Sequence, residues 1–265
     1  MANQPSVAMR SDKTDLPPFS RETCSDEEWK IRVELAATYR LIAHYGWDDL
    51  VFTHISARVP GPDHHFLINP YGVGFDEMTA SELVKIDLDG NPLHSSPYPV
   101  NAAGFTIHGA MHEHADEANC VIHTHSNDGV AVSAQKDGLL PLSQTAMVLW
   151  DDIAYHDFEG IALDHEERER LVEDIADKHC LILRNHGILT HGRSCPEAFV
   201  RHYFFERACT YQIKALSAGM ENMNMPNQGV PEHTHSQGRS AAGADRIAWP
   251  ALLRKLDKHN PGYNA

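Results

Sequence analysis

The chain has 265 residues, 22 basic and 37 acidic side chains, a net charge of −15 and a hydrophobic fraction of 42%. That length suits one domain with a full core plus tails, and the negative charge repels phosphate backbones and anionic lipid, so neither nucleic acid nor membrane is an expected partner. No apolar run approaches the roughly 18–20 residues of a membrane span, no signal-peptide core is visible, and five cysteines without a C-x-x-C pair point to the reducing cytoplasm.

Residues 1–25 are polar and read as a flexible leader. Ser25-Asp26-Glu27-Glu28 is a capping box, and Trp29, Val33, Ala36, Ala37, Leu41 and Ile42 follow at helical spacing, with Gly46 as the stop. Two extended runs, 53–59 and 65–69, are parted by Pro60-Gly61-Pro62 and predict a hairpin. Residues 84–87 alternate like a strand and run into a turn ending at Asn91. A helix from 101 to about 114 precedes an apolar strand at 120–122, and Ser126 opens a short helix. Asp164-His165-Glu166-Glu167 and Ser194-Cys195-Pro196-Glu197 are further capping boxes; between their helices, residues 181–183 read as a strand buried on both faces. The last long helix is expected from 195 to about 218, ended by Gly219. Cys120, Cys180 and Cys209 sit in apolar or helical patterns and read as buried.

Beyond Met220 the sequence is polar and irregular to about residue 245, and only 247–256 offers apolar side chains to pack. The expected organisation is one α/β domain over 26–220, a leader at 1–25 and a C-terminal arm at 221–265. The arm is expected to dock over its own or a neighbouring active site, since its apolar cluster would otherwise be exposed. Its deletion is expected to leave folding intact.

Nineteen histidines are the unusual feature of the composition. The run Cys120-Val121-Ile122-His123-Thr124-His125 is an apolar strand ending in His-x-His. Residues i and i+2 of a strand share a face, so His123 and His125 present two imidazoles side by side at a strand end, as chelation of zinc requires. The run 181–183 continues into Arg184-Asn185-His186-Gly187 and delivers a third imidazole at an equivalent end. Three protein ligands with an open position are the catalytic kind of metal site. The same His-Thr-His tripeptide recurs at His233-Thr234-His235, in a polar stretch with no strand to fix its rings, and His64-His65 reads as a solvated turn.

The segments 68–72 (INPYG), 85–90 (KIDLDG), 101–108 (NAAGFTIH), 120–125 (CVIHTH), 139–143 (LLPLS) and 181–187 (LILRNHG) resemble, in order and spacing, the class II aldolase/adducin family. They resemble the bacterial adducin-head-like branch in particular, over about residues 27–220. The resemblance implies a single three-layer α/β/α domain around a central, mainly antiparallel sheet. It implies a homo-oligomer, most simply a ring tetramer, with sites between neighbouring subunits. It also implies one divalent metal per chain on His123, His125 and His186: Zn2+ first, with Fe2+ or Mn2+ as alternatives.

In the sugar-phosphate aldolases of that family a glutamate moves the proton and a serine pair grips the phosphate. The matching positions here are Gly104 and Ala102-Ala103, the assisting loop asparagine becomes His54, and only Gly72 keeps its place. No carboxylate lies between Asn101 and His112. Loss of a positioned base typically costs about 10²–10⁴-fold in rate, and an unpaired phosphate about 1–3 kcal/mol per unmade bond. The expected activity is therefore not sugar-phosphate cleavage. It is lyase or decarboxylase chemistry, through a metal-stabilised enolate, on a small non-phosphorylated oxo- or hydroxy-acid. His54, His108, Tyr71 and Gln144 are the candidate pocket groups. Two alternatives stay open: a non-haem iron oxygenase built on the same three histidines, and a non-catalytic adducin-like oligomerisation domain, which needs no metal.

Overall fold

Seven strands lie in chain order at β1 (His54–Arg58), β2 (Phe66–Ile68), β3 (Val84–Ile86), β4 (Cys120–Thr124), β5 (Ile153–His156), β6 (Cys180–Leu183) and β7 (Gly187–Gly192). In the computed structural model, which describes residues 16–114, 117–160, 166–240 and 243–265, they form one sheet of order β3-β2-β1-β4-β7-β6-β5. Side chains at 102–105 and 240 lie outside the described set, and with them the expectations about Ala102, Ala103 and Gly104. Every pairing is antiparallel except β5 with β6, as expected for a mainly antiparallel sheet.

The helices are α1 (Asp26–His44), α2 (Ala102–His114), α3 (Asn127–Ser133), α4 (Gln144–Val148), α5 (Glu167–Ile175), α6 (Cys195–Leu216), α7 (Val230–Ser240) and α8 (Ala244–His259). Ser25, Ser126 and Ser194 each accept the backbone N–H three residues on, at 3.1, 3.1 and 3.3 Å, so the three serine caps start α1, α3 and α6. Asp164 lies outside the described residues, and α5 begins after Glu166 without a side-chain cap.

Strand alternation divides the core into two layers. Ile55, Ala57, Cys120 and Ile122 point to the side of α1, α6 and α8, where Leu35, Phe199 and Leu256 cover them. Val121, Leu181, Leu183 and Leu189 point the other way, under Ile107 and Met111 of α2 and Leu171 and Ile175 of α5. The fold is thus three-layered, and all five cysteines are buried and free. Among the described residues no helix is long and apolar enough to cross a membrane.

Three segments depart from expectation. Residues 16–25, expected in the leader, hold a 3-10 turn at Arg21–Thr23, and the Phe19 ring lies 3.9 Å from the buried Arg32 guanidinium. The polar stretch after Met220 contains α7, whose residues lie against α4: His235 Nδ1 is 2.8 Å from the Val148 carbonyl oxygen. The second His-Thr-His therefore lies on a helix, where residues two apart are about 200° round the axis. The end of the arm packs within its own chain on α1 and α6. Trp249 packs 6.3 Å from Phe199, and Arg40 Nη1 donates to Asn260 Oδ1 at 2.6 Å and to Pro261 O at 2.7 Å. The Ala80 amide donates to Tyr263 O at 3.0 Å. The arm's α8 packs on α1 and α6 and extends that layer outward.

Candidate metal centre

At one end of the sheet the start of β1, the end of β4 and the tight β6–β7 connection meet. The connection is a three-residue hairpin: Leu183 pairs with Gly187, the His186 amide donates to Leu183 O at 3.0 Å, and Asn185 takes the left-handed φ of 58°. Asparagine tolerates that conformation better than other side chains. Gly187 lets the strands close up. A Cβ there would run into the Thr124 carbonyl oxygen and sit 3.4 Å from both the His123 and His125 rings.

This architecture brings His123, His125 and His186 together. Their ring centroids are 4.8 Å apart in all three pairs, and one nitrogen from each falls within 4.8 Å of the others. His123 Nε2 stands 3.1 Å from His125 Nε2 and 3.3 Å from His186 Nε2. The outer nitrogens are engaged: His123 Nδ1 lies 3.0 Å from the Ile188 carbonyl oxygen, and His125 Nδ1 lies 3.1 Å from Asp49 Oδ2. A carbonyl and a carboxylate only accept, so both Nδ1 atoms carry the proton. In neutral rings, the facing Nε2 atoms are then two bare lone pairs at 3.1 Å. Burial, then the His186 and His125 imidazoles, pushes His123 well below the usual histidine range; burial and His125 push His186 down to about 4. Neutral rings with converging lone pairs are what a divalent cation binds. The donor set fits the expected metal, with carbonyl and carboxylate partners of the usual outer kind.

Behind the strand, Thr124 points to the opposite face and ties the site to α6. Its hydroxyl donates to Glu206 Oε1 at 2.9 Å, Ser126 donates to Glu206 Oε2 at 2.7 Å, and His202 bridges Thr124 and Thr190 at 3.0 Å each. All five side chains are buried. This network fixes the β4 end that carries both ligands.

In front, a polar seam runs under α2. His54 and His123 are register partners, and the His54 ring lies 4.3 Å from that of His108. His108 Nδ1 is 2.7 Å from Ser56 Oγ, Ser56 Oγ is 2.6 Å from His112 Nε2, and His112 Nδ1 is 2.6 Å from Ala118 O. Burial pushes His108 well below the usual range and His112 down to about 3, so both rings are neutral. The Ala118 carbonyl then sets every proton: His112 donates to it from Nδ1 and accepts from Ser56, and Ser56 accepts from His108 Nδ1. The His108 Nε2 lone pair is buried and without a hydrogen-bond partner.

Of the other two candidates, Tyr71 is half-buried, its ring 6.4 Å from Phe52 in the turn that follows Asp49. Gln144 is the exposed first residue of α4, a helix that packs on α6 and α7. No hydrogen bond or ring contact joins Gln144 to the three histidines among the described residues. Sequence reasoning missed Asp49, 76 residues from its partner, together with Ser56, Thr124, His202 and Glu206. Only Thr124, alternating with two ligands, carried a local signal. Exposed apolar side chains stand beside the site: Phe158, 54% exposed, lies 6.2 Å from the His186 ring, and Leu50 (74%) and Phe52 (44%) belong to the turn that carries Asp49.

Residues 33–213 match the model of the class II aldolase and adducin N-terminal domain. A Caulobacter vibrioides protein named for the class 2 aldolases is 52% identical over 250 residues, covering 94% of this chain and 97% of that protein. Alpha-adducin of Mus musculus is 42% identical over 97% of this chain, which spans 37% of that longer protein. Among solved structures, an aldolase II superfamily protein from Pseudomonas syringae superposes with a TM-score of 0.90 at 47% identity, covering 92% of this chain and 99% of that one. An L-fuculose 1-phosphate aldolase from Glaciozyma antarctica gives 0.77 at 26% identity, covering 92% and 96%.

Proposed function

Because the chain belongs to the family of class II aldolases and adducin N-terminal domains, we propose that it is a metal-dependent enzyme acting on a small, non-phosphorylated oxo- or hydroxy-acid. The carrying observation is the facing Nε2 pair of His123 and His125, whose Nδ1 protons are committed elsewhere. A cation held by His123, His125 and His186 supplies Lewis acidity toward a substrate carbonyl or hydroxyl oxygen. Three imidazoles suit Zn2+, with Fe2+ and Mn2+ as the alternatives.

The protein's own groups then divide the work. Ile188 O and Asp49 orient the ligands, the Thr124–Glu206 network holds the strand end, and His54 and His108 line the β1 side. Both the aldolase glutamate and the serine pair are missing from 101–112, which argues against a sugar phosphate and for chemistry of the lyase or decarboxylase type. The exposed Leu50, Phe52 and Phe158 are the surface a neighbouring subunit would cover, which supports a homo-oligomer, most simply a tetramer.

A second reading, an adducin-like oligomerisation domain, is favoured by the 42% identity to alpha-adducin. Elemental analysis of anaerobically purified protein separates the two. The enzyme reading expects one divalent metal per chain, lost in His123→Ala, His125→Ala and His186→Ala and kept in His233→Ala and His235→Ala. Metal-free wild type in a stable oligomer would favour the assembly domain. A screen of oxo- and hydroxy-acids should then find turnover. Fuculose-, rhamnulose- or ribulose-phosphate cleavage within tenfold of a common enzyme rate of about 10 s⁻¹ would refute the non-phosphorylated substrate.

A further inference from the structure

The segment from Asp49 to Thr53 combines several unusual features. Asp49 to Phe52 is a tight turn, closed by the Phe52 amide donating to Asp49 O at 2.9 Å. Leu50 occupies its second position with φ of 53°, a place where glycine is the ordinary residue. Thr53, a β-branched residue, follows with φ of 64°, 4% exposed, its hydroxyl buried without a partner. Two left-handed non-glycine residues within four positions are uncommon, and for a threonine the conformation is an outlier. Strain of this kind persists where surrounding contacts over-determine it, and it collects at functional sites.

Within one chain the tip has little packing to do so. Leu50 and Phe52 are largely exposed, and Trp47 before the turn and His54 after it are fixed in the core. Among the described residues, the turn meets its surroundings sideways through the Phe52–Tyr71 ring contact and the polar bond from Asp49 Oδ2 to His125 Nδ1 at 3.1 Å. That bond ends on a ligand. A cation on Nε2 makes the Nδ1–H of the same ring a stronger donor, and a carboxylate on Nδ1–H makes Nε2 a better ligand. Each therefore strengthens the other, and linkage requires the coupling to run both ways.

We propose that Asp49 is a positioning residue of the metal centre and that the 49–53 turn is a metal-coupled element: cation binding at His125 locks the strained turn, and the locked turn raises cation affinity. The inference rests on the reading of the three histidines as a metal site. Its consequence is regulatory, because the locked turn fixes the exposed Leu50 and Phe52 and leads directly into the start of β1, where His54 stands.

The test uses the full chain, stripped with chelator and titrated with Zn2+ against a competing chromophoric chelator, in wild type, Asp49→Asn and Asp49→Ala. Hydrogen exchange of the peptide spanning 48–54 is followed with and without Zn2+. We expect Asp49→Ala to lose about 10–100-fold in affinity, with Asp49→Asn, which keeps an acceptor but not the charge, in between. Zn2+ should slow exchange at the 50–53 amides in wild type and leave it unchanged in Asp49→Ala. Equal affinity within twofold in Asp49→Ala, or a turn whose exchange ignores Zn2+ in wild type, overturns this inference while the metal site stands. A wild type that takes up no Zn2+, Fe2+ or Mn2+ overturns the metal reading and this inference with it.

Discussion

His54 lies directly opposite His123 in the register of β1 and β4, with its ring 6.3 Å from that ligand. A buried imidazole beside a metal ligand is held in turn by whatever holds its other side, and here that is His108 and the seam behind it. Ser56→Ala removes the middle of the seam. It orphans the His108 Nδ1–H and the acceptor nitrogen of His112, each at about 1–3 kcal/mol. The expected result is a clear loss of stability in denaturant unfolding. A loss below about 0.5 kcal/mol, the size of a surface substitution, would mean the seam is bridged by water instead.

Gly187→Ala should be far worse than an ordinary alanine substitution. The added methyl meets the Thr124 carbonyl oxygen and both ligand rings, and backbone cannot move aside as a flexible side chain does. Loss of metal binding together with a large fall in the unfolding midpoint is expected, readable by chelator competition and thermal melting. Normal metal affinity in this variant would show that β4 and β7 pack more loosely than they do here.

Acid should weaken the metal-free protein through histidines remote from the ligands. Burial pushes His112 down to about 3, and burial with the neighbouring His179 pushes His191 down to about 4, from an ordinary 6.5. Between those values the unfolded chain binds protons that the folded chain refuses, so stability rises with pH across the window and is fully present above it. Descending from pH 6.5 to 4, each group removes up to about 1.4 kcal/mol per pH unit. Urea midpoints at pH 7, 5.5 and 4.5 should fall in that order, and His191→Gln should flatten the slope by about one proton. Parallel slopes in the two proteins would contradict the assignment.

The arm beyond residue 220 should prove part of the domain. Leu256 is fully buried in the α1–α6 layer, so Leu256→Ala is expected to cost about 2–5 kcal/mol. Truncation after residue 220, which uncovers Phe199 and strips Arg40 of its partners at 260 and 261, should leave little soluble protein. A truncated chain with an unchanged melting temperature would restore the separable arm that the sequence suggests.

Local signals were readable and long-range ones were not. Serine caps announced three helices, and the apolar run into His123-Thr124-His125 announced β4, because caps and alternation are properties of a few consecutive residues. The interior strand β7 escaped notice: Gly187 and Gly192 bound it, and Thr190 and His191 inside it are polar. Its burial follows from β4 and β6 on either side, which no window of sequence contains. Helix α7 was hidden the same way, its polar composition offset by α4. The three clustered histidines were legible because each ends an apolar run. Asp49 and the Ile188 carbonyl were not, since one sits in an exposed turn and the other is a main-chain atom whose role depends on register.

The ligand set also joins distant stretches of chain. His123 and His125 belong to β4, His186 to the hairpin of β6 and β7, and the whole of α3, α4, β5 and α5 is threaded between them. A cation held by all three would be a reversible cross-link across the middle of the sheet. Unzipping β4 from β7 would first require that link to open, so under the metal reading the lifetime of the folded chain against proteases would become a function of free metal concentration. Scarcity of the cation would then be read out as turnover of the protein itself, with the sheet acting as the gauge.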